Sequence, residues 1–239
     1  VTDLKSVGFC VNPYDPCVAN KTVKGKQLTV VWHVDDLKVS HVLATVVTRM
    51  ANWLKKTYER LFDDGSGKMK ICRGKIHEYL GMTLDFTVSG QVRVTMLPYV
   101  KEIVDLFTQY DNSTSITATP AAEHLFQVRD EITSLSERQA TVFHNFVAKC
   151  LFLTKRARPD TATAVAFLTT RVKAPDEDDW KKLTRMIRYL RGTIELPLTL
   201  RADSVPVPKW YVDGSHATHP NMRGHTGGCM TLGKGMPIN

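Results

Sequence analysis

The chain has 239 residues, of which 43% are hydrophobic and 23% charged. These are globular values, and the length suffices for one large or two small domains with a proper core. No run approaches the roughly 18 apolar residues of a membrane span, and no signal-peptide pattern opens the sequence. Lysine plus arginine exceed aspartate plus glutamate by 32 − 24 = +8, a moderately basic balance that suits a polyanionic partner. The five cysteines, Cys10, Cys17, Cys72, Cys150 and Cys229, contain no CxxC pair. An odd count without such pairs predicts free thiols in a reducing compartment. The chain begins at Val1 and is expected to be a piece of a longer polypeptide.

In chain order, Val1–Phe9 reads as the end of a helix with Leu4 and Val7 on its apolar side and Gly8 as its stop. Asn12–Pro16 is a turn. Cys17–Thr22 and Gln27–Val34 read as strands joined around Lys24-Gly25-Lys26. The second strand runs into two adjacent carboxylates, Asp35 and Asp36, followed by a short strand with Leu37 and Val39. This places the acidic pair on the tight turn of a β-hairpin. Two carboxylates about 4 Å apart repel by about 4 kcal/mol at an effective dielectric near 20, so a fold that holds them together needs a cation or a proton there. Magnesium prefers one or two carboxylates plus substrate phosphates, and paired sites serve in-line phosphoryl transfer. Asp is also a common turn residue, and the dipeptide alone is compatible with a plain polar turn.

Val42, Val46, Met50, Trp53, Leu54 and Leu61 recur at helical spacing and predict a helix from about His41 to Phe62, ended by Asp63–Gly67. Lys75–Phe86 and Gln91–Leu97 read as two strands across a Ser89-Gly90 turn. Pro98 suits the first turn of a helix reaching about Tyr110. Asp111–Pro120 is a polar linker. Three helices follow, Glu137–Arg156, Asp160–Val172 and Asp176–Arg191, with Phe146, Leu151, Phe167, Leu183 and Ile187 expected to be buried. Lys181, Arg185 and Arg188 form a basic face on the last of them, either simply solvated or in contact with nucleic acid. Leu196–Leu200, Lys209–Val212 and Thr226–Leu232 read as strands, with Asp213 ending the second. His216, His219, His225 and Cys229 fall close together, at a spacing that matches no zinc pattern.

Several blocks, in order, resemble the reverse transcriptase of Ty1/copia-type LTR retrotransposons. Val7-Gly8-Phe9 with Asp15-Pro16-Cys17-Val18 is similar to the family's GF…DPC segment, and His33-Val34-Asp35-Asp36 stands where the family has Tyr-Val-Asp-Asp. Glu78–Met82 resembles its FLG primer-grip hairpin, Ala157–Asp160 with Ala164-Val165 its TRPD…AV block, and Arg188–Thr193 its RYLKGT block. Tyr211–Gly214 with Arg223–Gly228 resembles the opening of its ribonuclease H domain.

The resemblance implies an α+β right-hand polymerase fragment: residues 1–88 as the rear half of the palm, 89–195 as a mainly helical thumb and connection, and 196–239 as a linker and the first strands of an RNase-H-like fold. It implies that Asp35 and Asp36 are catalytic and hold Mg2+ or Mn2+, that Gly81 and Met82 press on the primer, and that Asp213 is the first metal-binding acid of the ribonuclease site. The implied partners are an RNA template, a DNA primer, dNTP and the rest of the Pol polyprotein, with no membrane. The implied location is a cytoplasmic virus-like particle, with the nucleus as a second. The family's first acidic motif and the later ribonuclease acids have no match here, so the chain by itself is expected to be inactive. His33 replaces the usual Tyr. The alternatives are a non-catalytic nucleic-acid-binding remnant and a decayed element without a selected role.

Overall fold

The computed structural model describes residues 1–59, 67–129, 131–205, 207–219 and 222–235. The chain is α+β and forms two compact units, Val1–Gly74 and Lys75–Asn239.

The first unit opens with α1 (Thr2–Ser6), after which Gly8 takes a positive φ of 85°. Four antiparallel strands follow in the order of the chain: β1 (Cys10–Val11), β2 (Val18–Val23), β3 (Lys26–His33) and β4 (Asp36–Ser40). Lys24 and Gly25, both with positive φ, make the two-residue loop between β2 and β3, the conformation that matches the twist of paired strands and that Gly adopts freely. Helix α2 (Ala44–Tyr58) buries Val46, Met50 and Leu54, spaced four apart, against Leu4, Phe9, Ala19, Leu28 and Val30. The sheet is thus covered on the face that carries the alternate residues Leu28 and Val30. Val42, expected in the helical stripe, precedes α2 and is 73% exposed. Leu61, Phe62 and the stop at residues 63–66 lie outside the described residues.

In the second unit Lys75–Phe86 is not one strand. It folds into β5 (Ile76–Tyr79) and β6 (Met82–Asp85) around Leu80 and Gly81, whose φ values are 52° and 78°. A β-rich run gives no periodicity signal for a two-residue turn, and Gly81 was its one local mark. β7 (Gln91–Thr95) and β8 (Leu198–Ala202) complete an antiparallel sheet in the order β11-β8-β7-β6-β5, with β11 at Gly233–Lys234. β8 pairs with β7, and the hairpin at residues 76–85 stands in this second unit. β9 (Lys209–Ser215) and β10 (His225–Thr231) form a separate two-stranded ribbon.

The helices are α3 (Leu97–Phe107, with Pro98 in its first turn), α4 (Glu137–Thr154), α5 (Ala162–Arg171, preceded by a 3-10 turn at Pro159–Thr161) and α6 (Glu177–Gly192). Ser136 with Gln139, and Asp176 with Asp179, form reciprocal capping boxes that start α4 and α6. Phe107, Phe143, Phe146, Phe167, Leu183 and Ile187 share one core with Leu84 and Val94 of the sheet. Leu151, expected inside, is 38% exposed; it lies at the edge of the stripe that α4 buries through Phe143, Phe146, Val147, Cys150 and Leu153.

Arg158 is 2% exposed, and each of its three guanidinium nitrogens donates a hydrogen bond. Its Nε and Nη2 donate to Asp160, its Nη1 donates to the Thr193 carbonyl at 2.9 Å, and Nη2 also donates to the Thr193 hydroxyl at 2.7 Å. Tyr189 donates to the same Asp160 carboxylate at 2.8 Å. Burial alone would raise the Asp160 carboxyl, but the hydrogen bonds and charge of Arg158 outweigh it and hold it below the ordinary range. Arg188 likewise lowers the Asp111 carboxyl. Asp179 shifts the other way, raised chiefly by burial.

The arginines of the basic face of α6 are engaged by the chain itself, while Lys181 is exposed. Arg188 forms a two-pronged contact with Asp111 at 2.9 Å, Arg191 donates to the carbonyls of Ser113 and Ser115, and Arg185 donates to Thr119. The expected linker therefore lies along the helix as a strap.

A group whose folded pKa is depressed gives stability that is complete above the ordinary carboxylate value and lost as pH falls through the folded one. The second unit is therefore expected to lose Tm on acidification below about pH 4, and Asp160→Asn should make that loss shallower while costing roughly 2–3 kcal/mol near neutrality, less than for a fully buried pair because the carboxylate is partly exposed. Thermal unfolding followed against pH checks both. Thiol titration gives an independent check. Cys150 is buried and its thiol is pushed up to about 12 by desolvation, so it should react with a disulfide reagent only on unfolding, whereas the exposed Cys10 and Cys72 should react in the native protein.

Candidate active site

β3 and β4 are built from β-branched and aromatic residues whose register pairs Val30 with Val39, Trp32 with Leu37 and His33 with Asp36. The loop is therefore the two residues Val34 and Asp35, and Asp36 is the first residue of β4. The acidic pair sits at the tip of an antiparallel hairpin, both carboxylates exposed.

Val34 has φ of 54° and is 87% exposed. A β-branched residue in the left-handed region is strained by about 1–2 kcal/mol. The two other two-residue loops, Lys24-Gly25 and Leu80-Gly81, carry a Gly; this one does not. The hairpin holds Val34 there because β3 and β4 keep their register on both sides of it.

Side chains alternate across the sheet, so the face away from α2 carries Asn20, Thr29, Val31, His33, Asp36 and Lys38. Asn20, Gln27 and Thr29 are joined by hydrogen bonds of 2.8–3.0 Å. His33 faces Asp36 across the strands, and Lys38 is two residues further along the same face. Burial lowers the Lys38 ammonium from its ordinary value. Lys38 was missed at the level of the sequence; its i+2 spacing from Asp36 in a strand was the available signal.

The donors at this tip suit a hard divalent cation, since magnesium takes one or two protein carboxylates alongside phosphate oxygens. A two-ion site needs further oxygen ligands, and among the described residues no group of three or more His, Cys, Asp or Glu side chains gathers to hold a metal.

Gly81 and Met82 belong to the second unit. Gly81 is in the β5–β6 loop, and Met82 is half-buried and packs on that unit's core. Asp213 is not at the end of its strand: it lies inside β9, opposite Gly227, and accepts the Gly214 N–H at 2.9 Å. The strand continues because Gly214 and Ser215 pair with Thr226 and His225, where a turn was expected from Gly214. His219 and His225 are packing groups. His219 stacks on Phe167 with centroids 6.3 Å apart and interplanar angle 7°, and both imidazoles lie 5.5 Å from Phe126.

No family model matches the chain, and no solved structure matches it. Similar proteins include one from transposon Ty5-1 of Saccharomyces cerevisiae, 25% identical over 237 residues that cover 98% of this chain and 72% of that protein. A retrovirus-related Pol polyprotein from transposon TNT 1-94 of Nicotiana tabacum is 23% identical over 239 residues, 97% of this chain. The chain spans 17% of that polyprotein's length. An uncharacterised mitochondrial protein of Arabidopsis thaliana is 25% identical over 202 residues, 84% of this chain and 77% of its own.

Replacing Val34 by Gly should relieve the left-handed strain and, after the entropy cost of Gly, stabilise the first unit by up to about 1 kcal/mol. Urea unfolding of the variant, followed at Trp32 and Trp53, measures it; a loss of stability would show that Val34 is not strained.

Proposed function

We propose that the chain is the reverse-transcriptase portion of a Ty1/copia-type retrotransposon Pol polyprotein, an RNA-directed DNA polymerase. The observation that carries this reading is the hairpin tip: two adjacent exposed carboxylates, Asp35 in the two-residue loop and Asp36 at the start of β4, on an antiparallel sheet backed by one helix. Similarity over nearly the whole of this chain to a Ty5-1 protein and to a part of a Pol polyprotein supports it.

In this reading Asp35, with Asp36 beside it, would hold magnesium or manganese, and the metal would supply electrostatic stabilisation of the transferring phosphoryl group. The exposed face of β2–β4 would offer His33, Thr29 and Asn20 as hydrogen-bonding groups to a nucleic-acid strand or dNTP. Gly81 and Met82 would support the primer and Asp213 would begin a ribonuclease H site; RNA template, DNA primer and dNTP are the partners this function requires. The occupied basic face of α6 speaks against a remnant that binds nucleic acid chiefly through Arg185 and Arg188, since both already have partners within the chain.

Within its polyprotein, the protein is expected to extend a DNA primer on an RNA template with dNTPs and magnesium, and Asp35→Asn should lower the rate at least about 100-fold. The 239-residue chain alone is expected to give no extension, because the two carboxylates of the tip are too few for a two-ion displacement. Extension in the polyprotein that is unchanged by Asp35→Asn and by Asp36→Asn overturns the reading.

A further inference from the structure

In the second unit the loop between β6 and β7, the strand β8 and the passage from β10 into β11 enclose a cavity of about 600 Å³. Its walls carry Phe86, Val88, Leu200, Met230 and Leu232. Of these, Val88 is 51% and Leu232 41% exposed, so large apolar surface is left facing one common space. Cavities of roughly 300–1,000 Å³ with mostly apolar walls and a few polar groups are the usual form of a small-molecule site.

The charged groups at this cavity all have one sign. Lys75, Arg201 and Lys234 line it, and no aspartate or glutamate does. Arg201 and Lys234 stand directly opposite each other where β8 pairs with β11, and like charges so placed repel. None of the three cations has an ion-pair partner among the described residues. Asp203, beside Gly233 in the same corner, is held by Lys209 at 2.9 Å. The Thr231 hydroxyl of the wall is also committed, to the carbonyls of Gly233 and Gly235 at 2.7 Å. An apolar space with a cationic rim and few free hydrogen-bonding groups does not suit a nucleoside, whose base edges would go unpaired. It suits an apolar body that carries one anionic head. We propose that this cavity binds a single amphiphilic carboxylate of the fatty-acid type, its chain against Leu200, Met230 and Leu232 and its head group between Arg201 and Lys234. The two carboxylate oxygens match the guanidinium fork of Arg201, and the anion neutralises the facing pair. The site stands apart from the hairpin of Asp35 and Asp36 and does not depend on the polymerase reading.

The test is titration of the full chain with sodium dodecanoate below its micelle concentration, followed by calorimetry and by the methyl NMR signal of Met230. Saturable one-to-one binding is expected, with the Met230 methyl moving and that of Met50, in the first unit, staying still. Arg201→Gln and Lys234→Gln, both at exposed positions, should each weaken the binding about threefold. Without ligand, Lys234→Gln should leave Tm unchanged or higher, because it removes one of two facing like charges. Dodecyltrimethylammonium, with the same chain and the opposite head, should bind at least about tenfold more weakly. A Met230 methyl that stays still, equal affinity for the cationic amphiphile, undiminished binding in both variants, or a lower Tm in Lys234→Gln overturns the proposal.

Discussion

The helical half of this protein depends on one buried charge. Arg158 sits between the end of α4 and the start of α5, and taking its guanidinium out of water costs several kcal/mol unless its nitrogens find acceptors. Asp160 and the C-cap residue of α6, Thr193, accept from all three of them. The arrangement makes the α4–α5 corner and the end of α6 one rigid joint, because neither can move without stranding the cation. Two blocks far apart in the chain, Arg158–Asp160 and Tyr189–Thr193, thus belong to a single hydrogen-bonded cluster.

Helix α6 passes through that joint and serves three environments at once. Leu183, Met186, Ile187 and Leu190 fill the core. Its first turn is held by Arg171, which reaches Asp176 and Asp179 from the end of α5. Its outer arginines bind the strap that follows α3. Ile116 of the strap comes so close to Gly192 that a Cβ there would lie 3.1 Å from the isoleucine Cβ, which leaves a small residue as the comfortable choice at that place. Charge on α6 is therefore spent largely on the protein's own backbone and carboxylates.

The first unit has a different economy. Its apolar face is closed by α2, and its other face is left to polar groups and the acidic tip. Exposed carboxylates and a strained Val34 contribute nothing to burial. They are tolerated because the paired strands behind them fix the loop. Local strain next to functional-type residues, on a sheet that is otherwise well packed, is the pattern expected where geometry has been kept for a task rather than for stability.

The sequence by itself determined the elements whose signal is local. Apolar residues at helical spacing gave α2 and the three helices α4, α5 and α6 to within a few residues, since each must bury one stripe. The β-formers flanking Asp35-Asp36 determined the hairpin and put the pair at its tip. Tertiary structure decided the rest. Val42 and Leu151 are apolar yet exposed, because periodicity marks a stripe without saying which members the neighbouring element covers. The turn at Leu80-Gly81 leaves no mark in the periodicity of a continuous β-rich run, where only Gly81 and the resemblance of Glu78–Met82 to a hairpin pointed to it. Asp213 became an interior strand residue only because β10 pairs beyond it. The arginines of α6 looked solvent-facing until a segment some 75 residues earlier supplied their partners, and such long-range pairing of charges leaves no mark in either local sequence.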